Sequence, residues 1–162
     1  MPLLLARVDD RLVHGQVAHG WGRALRPTLY LVVSDELAAD PARGDLYLLA
    51  VPEDAAGRCV SVREALAPET RALVERERAV MLFPGLDEPL RLVLGGFPIP
   101  DLNVGGLHHA PGRSPVLPYV FLDEQDRARL SRLASLGVRV AARDLPSNPE
   151  HPLEELLPGS AT

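Results

Sequence analysis

Residues 7–17 read Arg-Val-Asp-Asp-Arg-Leu-Val-His-Gly-Gln-Val: two acids, an arginine and a histidine, then a glycine that opens a helical pattern. Each type has a use if the task is to hold a phosphoryl group. His14 offers an imidazole, the side chain whose ordinary titration lies near neutrality, and with it a nitrogen nucleophile. Arg11 offers a planar fork that matches phosphate oxygens. The loop amides and the start of the following helix, around Gly15 and Gln16, make an anion site with a favourable dipole. Asp9 or Asp10 can accept a hydrogen bond from the other ring nitrogen, fixing its tautomer, or can order the loop backbone. A blander reading fits the same residues. A lone loop histidine is usually a surface group, and an Asp-Asp-Arg cluster is often a solvated turn with a weak local ion pair. From the residues alone the segment is an anion site with a reactive histidine, whose donor and acceptor stay open.

Composition narrows the setting. The chain has 162 residues and a net charge of −5, which predicts one domain over residues 1–162 with a real core. With 46% hydrophobic and 24% charged residues it is a globular chain, not a disordered one. All 17 basic residues are arginine, so a Walker-type lysine and Schiff-base chemistry are excluded and every Lys/Arg-type contact falls to a guanidinium. Mild acidity argues against a general nucleic-acid binder. Cys59 alone cannot form an internal disulfide, which makes a reducing cytoplasm the expected location. No stretch approaches the roughly 20 apolar residues of a membrane span. The apolar start, Met1–Ala6, lacks a basic flank, so a first strand is expected there and not a signal peptide.

Positioning a loop requires elements on either side. Strand-length apolar runs recur at Leu3–Val8, Leu29–Val33, Cys59–Val62, Ala79–Phe83, Leu102–Val104, Val116–Leu122 and Val138–Ala142. Several are continuous and not alternating, as in strands covered on both faces. Helical patterns lie between them: Gly15–Leu25, Glu69–Arg78, Asp87–Leu94 before Gly95-Gly96, and Asp123–Leu136 with an Asp123 N-cap and Gly137 beyond its end. Asp35–Val51 is also helical, with a kink or break expected at Pro41 and Gly44. Alternation of this kind predicts a single α/β domain, a mostly parallel twisted sheet with helices on both faces. Such sheets put their sites in loops at the carboxyl ends of strands, near a reversal of strand order. Asp9–Gly15 is the first such loop.

The run Arg7–Val17 resembles the active-site signature of the IIB subunit of the mannose/fructose/sorbose family of the bacterial phosphotransferase system. The resemblance continues through Val32–Asp40, Val80–Phe83 with the helix to Gly95-Gly96, Leu102–Leu107 and Pro111-Gly112, covering nearly the whole chain. It implies a sheet of about seven strands and a phosphohistidine relay, a protein-Nπ-phosphohistidine–sugar phosphotransferase activity. A phosphorylated IIA protein donates to the IIB histidine, normally at Nδ1, and the group passes to a sugar held by membrane IIC and IID subunits. The histidine in that place is His14, with Arg11 and the loop from Asp9 to Gln16 around the phosphate. No metal or organic cofactor is implied. Related proteins are found as homodimers, though no apolar stripe here marks such a face.

Other residues carry weaker signals. Gly105-Gly106-Leu107-His108-His109 leaves a strand end, and His108 is a candidate for the pocket wall. Adjacent histidines diverge on a strand and rarely chelate together, so no metal is expected. Relatives often carry a base just before this Pro-Gly, where Ala110 stands here, and Arg113 is the candidate replacement. His19 is expected at the surface, Trp21 in the core or at a partner, Cys59 as a buried small hydrophobe, and His151 without a visible partner. Two other functions compete with the relay. One is a regulatory phosphohistidine protein in an incomplete phosphotransferase system; the other is a non-catalytic anion- or nucleotide-binding α/β module.

Overall fold

The first strand, β1 (Leu3–Asp9), occupies the middle of a seven-stranded sheet in this computed structural model, which describes residues 3–157. It is followed by a helix that starts as a π-helix at Gln16–Trp21 and continues as α1 (Gly22–Leu25). Next come β2 (Leu29–Val33), the short helices α2 (Asp35–Ala38) and α3 (Pro41–Leu48), and β3 (Ala56–Val60). Two helices, α4 (Val62–Ala65) and α5 (Pro68–Arg76), lead to β4 (Ala79–Phe83), and α6 (Asp87–Leu94) leads to β5 (Asp101–Gly106). A hairpin of β6 (Ser114–Leu117) and β7 (Val120–Leu122) precedes α7 (Glu124–Ser135) and β8 (Arg139–Ala142). The described chain closes with β9 (His151–Pro152) and α8 (Leu153–Leu156).

The strand order is β3-β2-β4-β1-β5-β8-β9. Neighbours are parallel from β3 to β8, and only β9 runs antiparallel, on the edge. Side chains alternate across a strand, and two cores result. One face gathers Ala6, Val8, Leu31, Met81 and Phe83 with Leu92, Leu130 and Leu133 of α6 and α7. The other gathers Tyr30, Val32, Val80 and Leu82 with Leu12, Val13, Val17 and Leu37. Both faces are thus covered, which is why β2 and β4 are wholly buried and read as unbroken apolar runs.

Most expected elements hold, and the departures have local causes. The Asp123 cap forms with Asp126 as a reciprocal capping box. The Asp35–Val51 pattern breaks before Pro41, where Asp40 caps α3, but Gly44 stays helical, and a Cβ there would crowd Cys59 Sγ at 3.2 Å. The expected single strand Val116–Leu122 is two antiparallel strands joined at Pro118-Tyr119. The expected Cys59–Val62 strand lies earlier, since Ser61 caps α4. His151 does have a partner: its Nδ1 lies 2.5 Å from Glu155 Oε2, one helical turn on.

From β1 the chain moves to β2 and β3 on one flank, whereas β5 is followed by β8 and β9 on the other. The connections that leave the carboxyl ends of β1 and β5 therefore run to opposite flanks, the place where parallel sheets open a crevice. Among the described residues no helix is long and apolar enough to cross a membrane.

Candidate functional site

Alternation along β1 sends Val8 into the core and Arg7 and Asp9 to the opposite face, under the helix that begins at Gln16. Both are completely buried. An ion pair so placed is costly unless its hydrogen-bonding groups are satisfied, and every side-chain nitrogen of Arg7 except Nε finds a partner. Arg7 Nη2 donates to Asp9 Oδ2 at 3.0 Å, and its Nη1 donates to Asn103 Oδ1 and to the Arg143 carbonyl. The Trp21 ring lies 5.5 Å from the guanidinium carbon, and Trp21 Nε1 is itself tied to the Asp144 carbonyl. Trp21 is thus a core residue packed on a cation.

Asp9 gathers the loop around it. Its Oδ1 accepts from the Arg11 amide at 3.0 Å and from Arg11 Nε at 3.3 Å. Its Oδ2, already bonded to Arg7, lies 3.0 Å from His14 Nε2. Burial alone would push this carboxyl up. The hydrogen bond with His14, the Arg7 charge and the Arg11 contacts outweigh it and hold Asp9 well below the usual carboxylate range. An ionised carboxylate has no proton to give, so His14 Nε2 carries the hydrogen of this bond. The imidazole is partly accessible, at 18% of its side-chain surface.

Arg11 reaches outward from this anchor. Its Nη2 donates to Gln16 Oε1 at 2.9 Å, and Nη1 has no protein partner among the described residues. Gly15 precedes the helix with open space where a side chain would stand, and no side chain caps the helix. The turn between them is tight. Leu12 takes a left-handed conformation (φ 56°) while its side chain is buried with Val13 and Val17. Such backbone strain is tolerated where surroundings over-determine it, most often at functional loops.

Asp10 does a different job from Asp9. Its Oδ2 accepts from the His108 amide at 2.7 Å, and Oδ1 lies 2.6 Å from His108 Nδ1. It clasps the β1 loop to the β5 loop across the crevice. His108 is half-exposed there, and its carbonyl accepts from Arg113 Nη1. Arg113 in turn is held by buried Asp126 at 3.2 Å. Arg113 therefore braces the loop, its charge matched by Asp126. His109 turns away to pack edge-on against Phe121. Among the described residues no cluster of three His, Cys, Asp or Glu is placed to hold a metal ion. His19 is exposed, and Cys59 is half-buried in β3 with its thiol pushed up by burial.

Asp9, Asp10, Arg11, His14, Gly15 and Gln16 are thus brought together, and His108 joins them through Asp10. Arg7, Asn103 and Gly105 are the residues that loop-based reasoning missed. The signals were present: a lone arginine inside an apolar strand, and two glycines inside another. Between β1 and β5 the register slips so that Val8 faces Val104 but Asp9 faces Gly106, which leaves Gly105 as the extra residue of a bulge.

A family model described as "PTS system sorbose subfamily IIB component" matches residues 3–161. The chain is 33% identical to the mannose-specific EIIAB component of Escherichia coli (strain K12) over 157 residues, 97% of this chain but 49% of that protein. It therefore spans about half the length of that relative. It is 34% identical to the sorbose-specific EIIB component of Lacticaseibacillus casei, covering 92% of this chain and 91% of that one. The crystal structure of the IIBSor domain of the sorbose permease from Klebsiella pneumoniae superposes with a TM-score of 0.91 at 29% identity, covering 100% of both chains.

Proposed function

This chain belongs to the sorbose subfamily of phosphotransferase-system IIB components, and on that premise we propose that it is a phosphocarrier whose phosphoacceptor is His14. The donor is a phosphohistidine on a IIA protein. The lone pair of His14 Nδ1 forms a bond to phosphorus as the donor's P–N bond breaks and its imidazole leaves. In the second step the P–N bond to His14 breaks as a sugar hydroxyl oxygen, held by membrane IIC and IID subunits, bonds to phosphorus and loses its proton to solvent. The whole of residues 1–162 acts as one domain in this exchange, in the cytoplasm.

The observation that carries the reading is the bond between His14 Nε2 and the buried Asp9, which engages Nε2 and leaves Nδ1 as the ring nitrogen without a protein partner among the described residues. Arg11, anchored on Asp9 with Nη1 unengaged, supplies a cation for the phosphoryl oxygens, and the loop amides near Gly15 and Gln16 add neutral donors. Catalysis is then positioning and charge stabilisation, with a covalent intermediate that splits one transfer into two.

The test is transfer of labelled phosphate from a phosphorylated IIA protein, followed by mapping of the acid-labile label. Label on His14 is expected, with none on His14→Ala. Wild-type labelling of that variant would overturn the assignment.

A further inference from the structure

The carboxylate that orients His14 is shared. Asp9 Oδ2 lies 3.0 Å from both His14 Nε2 and Arg7 Nη2. A buried carboxylate facing an imidazole with no other cation nearby favours the imidazolium, because a proton on the ring completes an ion pair out of water. Imidazolium has no lone pair at Nδ1 and cannot attack phosphorus.

We propose that Arg7 is a positioning residue that tunes the phosphoacceptor: it neutralises Asp9 from below, so that Asp9 can hold His14 without drawing it into the imidazolium form. Arg7 suits this better than Arg11. The Arg7 side chain has no solvent exposure, whereas that of Arg11 is 40% exposed and its charge is screened. A guanidinium also keeps its proton throughout the working pH range. The other charged groups around the pair are Arg11 in the loop, Asp10 with His108 from the β5 side, and Arg143 and Asp144 beyond β8. Asp144 offsets part of the Arg7 charge, and the Arg11 charge opposes it.

The fold is arranged around this cation. Asn103, the Arg143 carbonyl and Trp21 each contact it, and the Gly105 bulge leaves it room. These contacts could serve stability alone, so the test must read the ring and not only the rate.

The proposal rests on His14 being the phosphoacceptor, and the experiment separates the two. Phosphoramidate is used as the donor, so no partner protein is needed: the P–N bond to His14 forms as the reagent's own P–N bond breaks and ammonia leaves. Labelling is followed against pH for wild type, Arg7→Gln, which keeps a donor but loses the charge, and Arg7→Lys, which keeps the charge. The reagent's own ionisation is common to all three. In Arg7→Gln the acid limb moves to higher pH by about one unit, cutting the rate on that limb about tenfold. In Arg7→Lys the limb stays in place. An unmoved limb in folded Arg7→Gln, or equal movement in both variants, would refute the role of Arg7. No label on wild-type His14 would instead refute the phosphoacceptor reading. Should Arg7→Gln not fold, ¹⁵N spectra of wild-type His14 decide. Unprotonated Nδ1 with protonated Nε2 at pH 7 is expected, and predominant imidazolium there overturns the proposal.

Discussion

Gly105 stands directly against the Arg7 guanidinium: a Cβ built on Gly105 would lie 2.0 Å from Arg7 Cζ, well inside van der Waals contact. The glycine is needed for close approach, not for its backbone angles, since no positive φ occurs there. The two residues are parts of one device, although 98 positions separate them.

Gly105→Ala therefore cannot be accommodated by a rotamer change. Arg7 is held by Asp9, Asn103 and the Arg143 carbonyl, so either β5 shifts or the buried ion pair loosens. A loss of about 3 kcal/mol is expected, at the upper end for overpacking because a paired charge moves with it. Urea unfolding measures it. A loss within 0.5 kcal/mol of wild type would show that Arg7 has somewhere else to go.

Asp9→Asn isolates the carboxylate. The amide retains an acceptor for His14 or Arg11 but leaves Arg7 as a buried cation without a counter-charge, which costs about 3–5 kcal/mol. The pH dependence has a definite sign. Asp9 is held below the usual carboxylate range in the folded protein, so it binds fewer protons there than when unfolded. Its contribution is fully present above an unfolded value of about 3.9 and is lost as pH falls from there toward the lower folded value. The wild type is expected to lose stability through that window more steeply than Asp9→Asn, measured as Tm against pH. Parallel curves would show that Asp9 is not the group being titrated.

The fold was largely legible because its signals are local. Unbroken apolar runs mark β2 and β4, and Asp123 with Asp126 marks the start of α7. The β6–β7 hairpin was not legible, because Pro118-Tyr119 is a turn set inside an apolar stretch with no glycine to announce it. The site divided the same way. Asp9, Arg11, His14 and Gln16 lie within eight positions, and their types suggested the chemistry. The platform beneath them was hidden. Arg7 meets Asn103 and Arg143 across 96 and 136 positions, and a single sequence holds no distance information at that range. Asp10 shows the same limit. Its neighbour Asp9 has the same chemistry; the pleat of β1 turns Asp9 toward His14, and only the path of β5 brings His108 to Asp10.

Leu12 sets two effects against each other within the Asp9–Gly15 loop. Its left-handed backbone costs about 1 kcal/mol relative to glycine, so Leu12→Gly would relieve strain. The side chain, however, is 1% exposed and packs with Val13, Val17, Tyr30 and Leu37 under the loop. Deleting a buried leucine side chain costs about 2–5 kcal/mol, and glycine adds freedom to the unfolded chain. Packing wins, and Leu12→Gly is expected to destabilise by about 2–4 kcal/mol in urea unfolding. Leu12 is the buried apolar anchor of a loop that Asp9 also holds, so labelling of His14 by phosphoramidate should slow even at temperatures where the variant is fully folded. Wild-type stability and labelling in Leu12→Gly would show instead that Asp9 and its hydrogen bonds suffice to shape the loop.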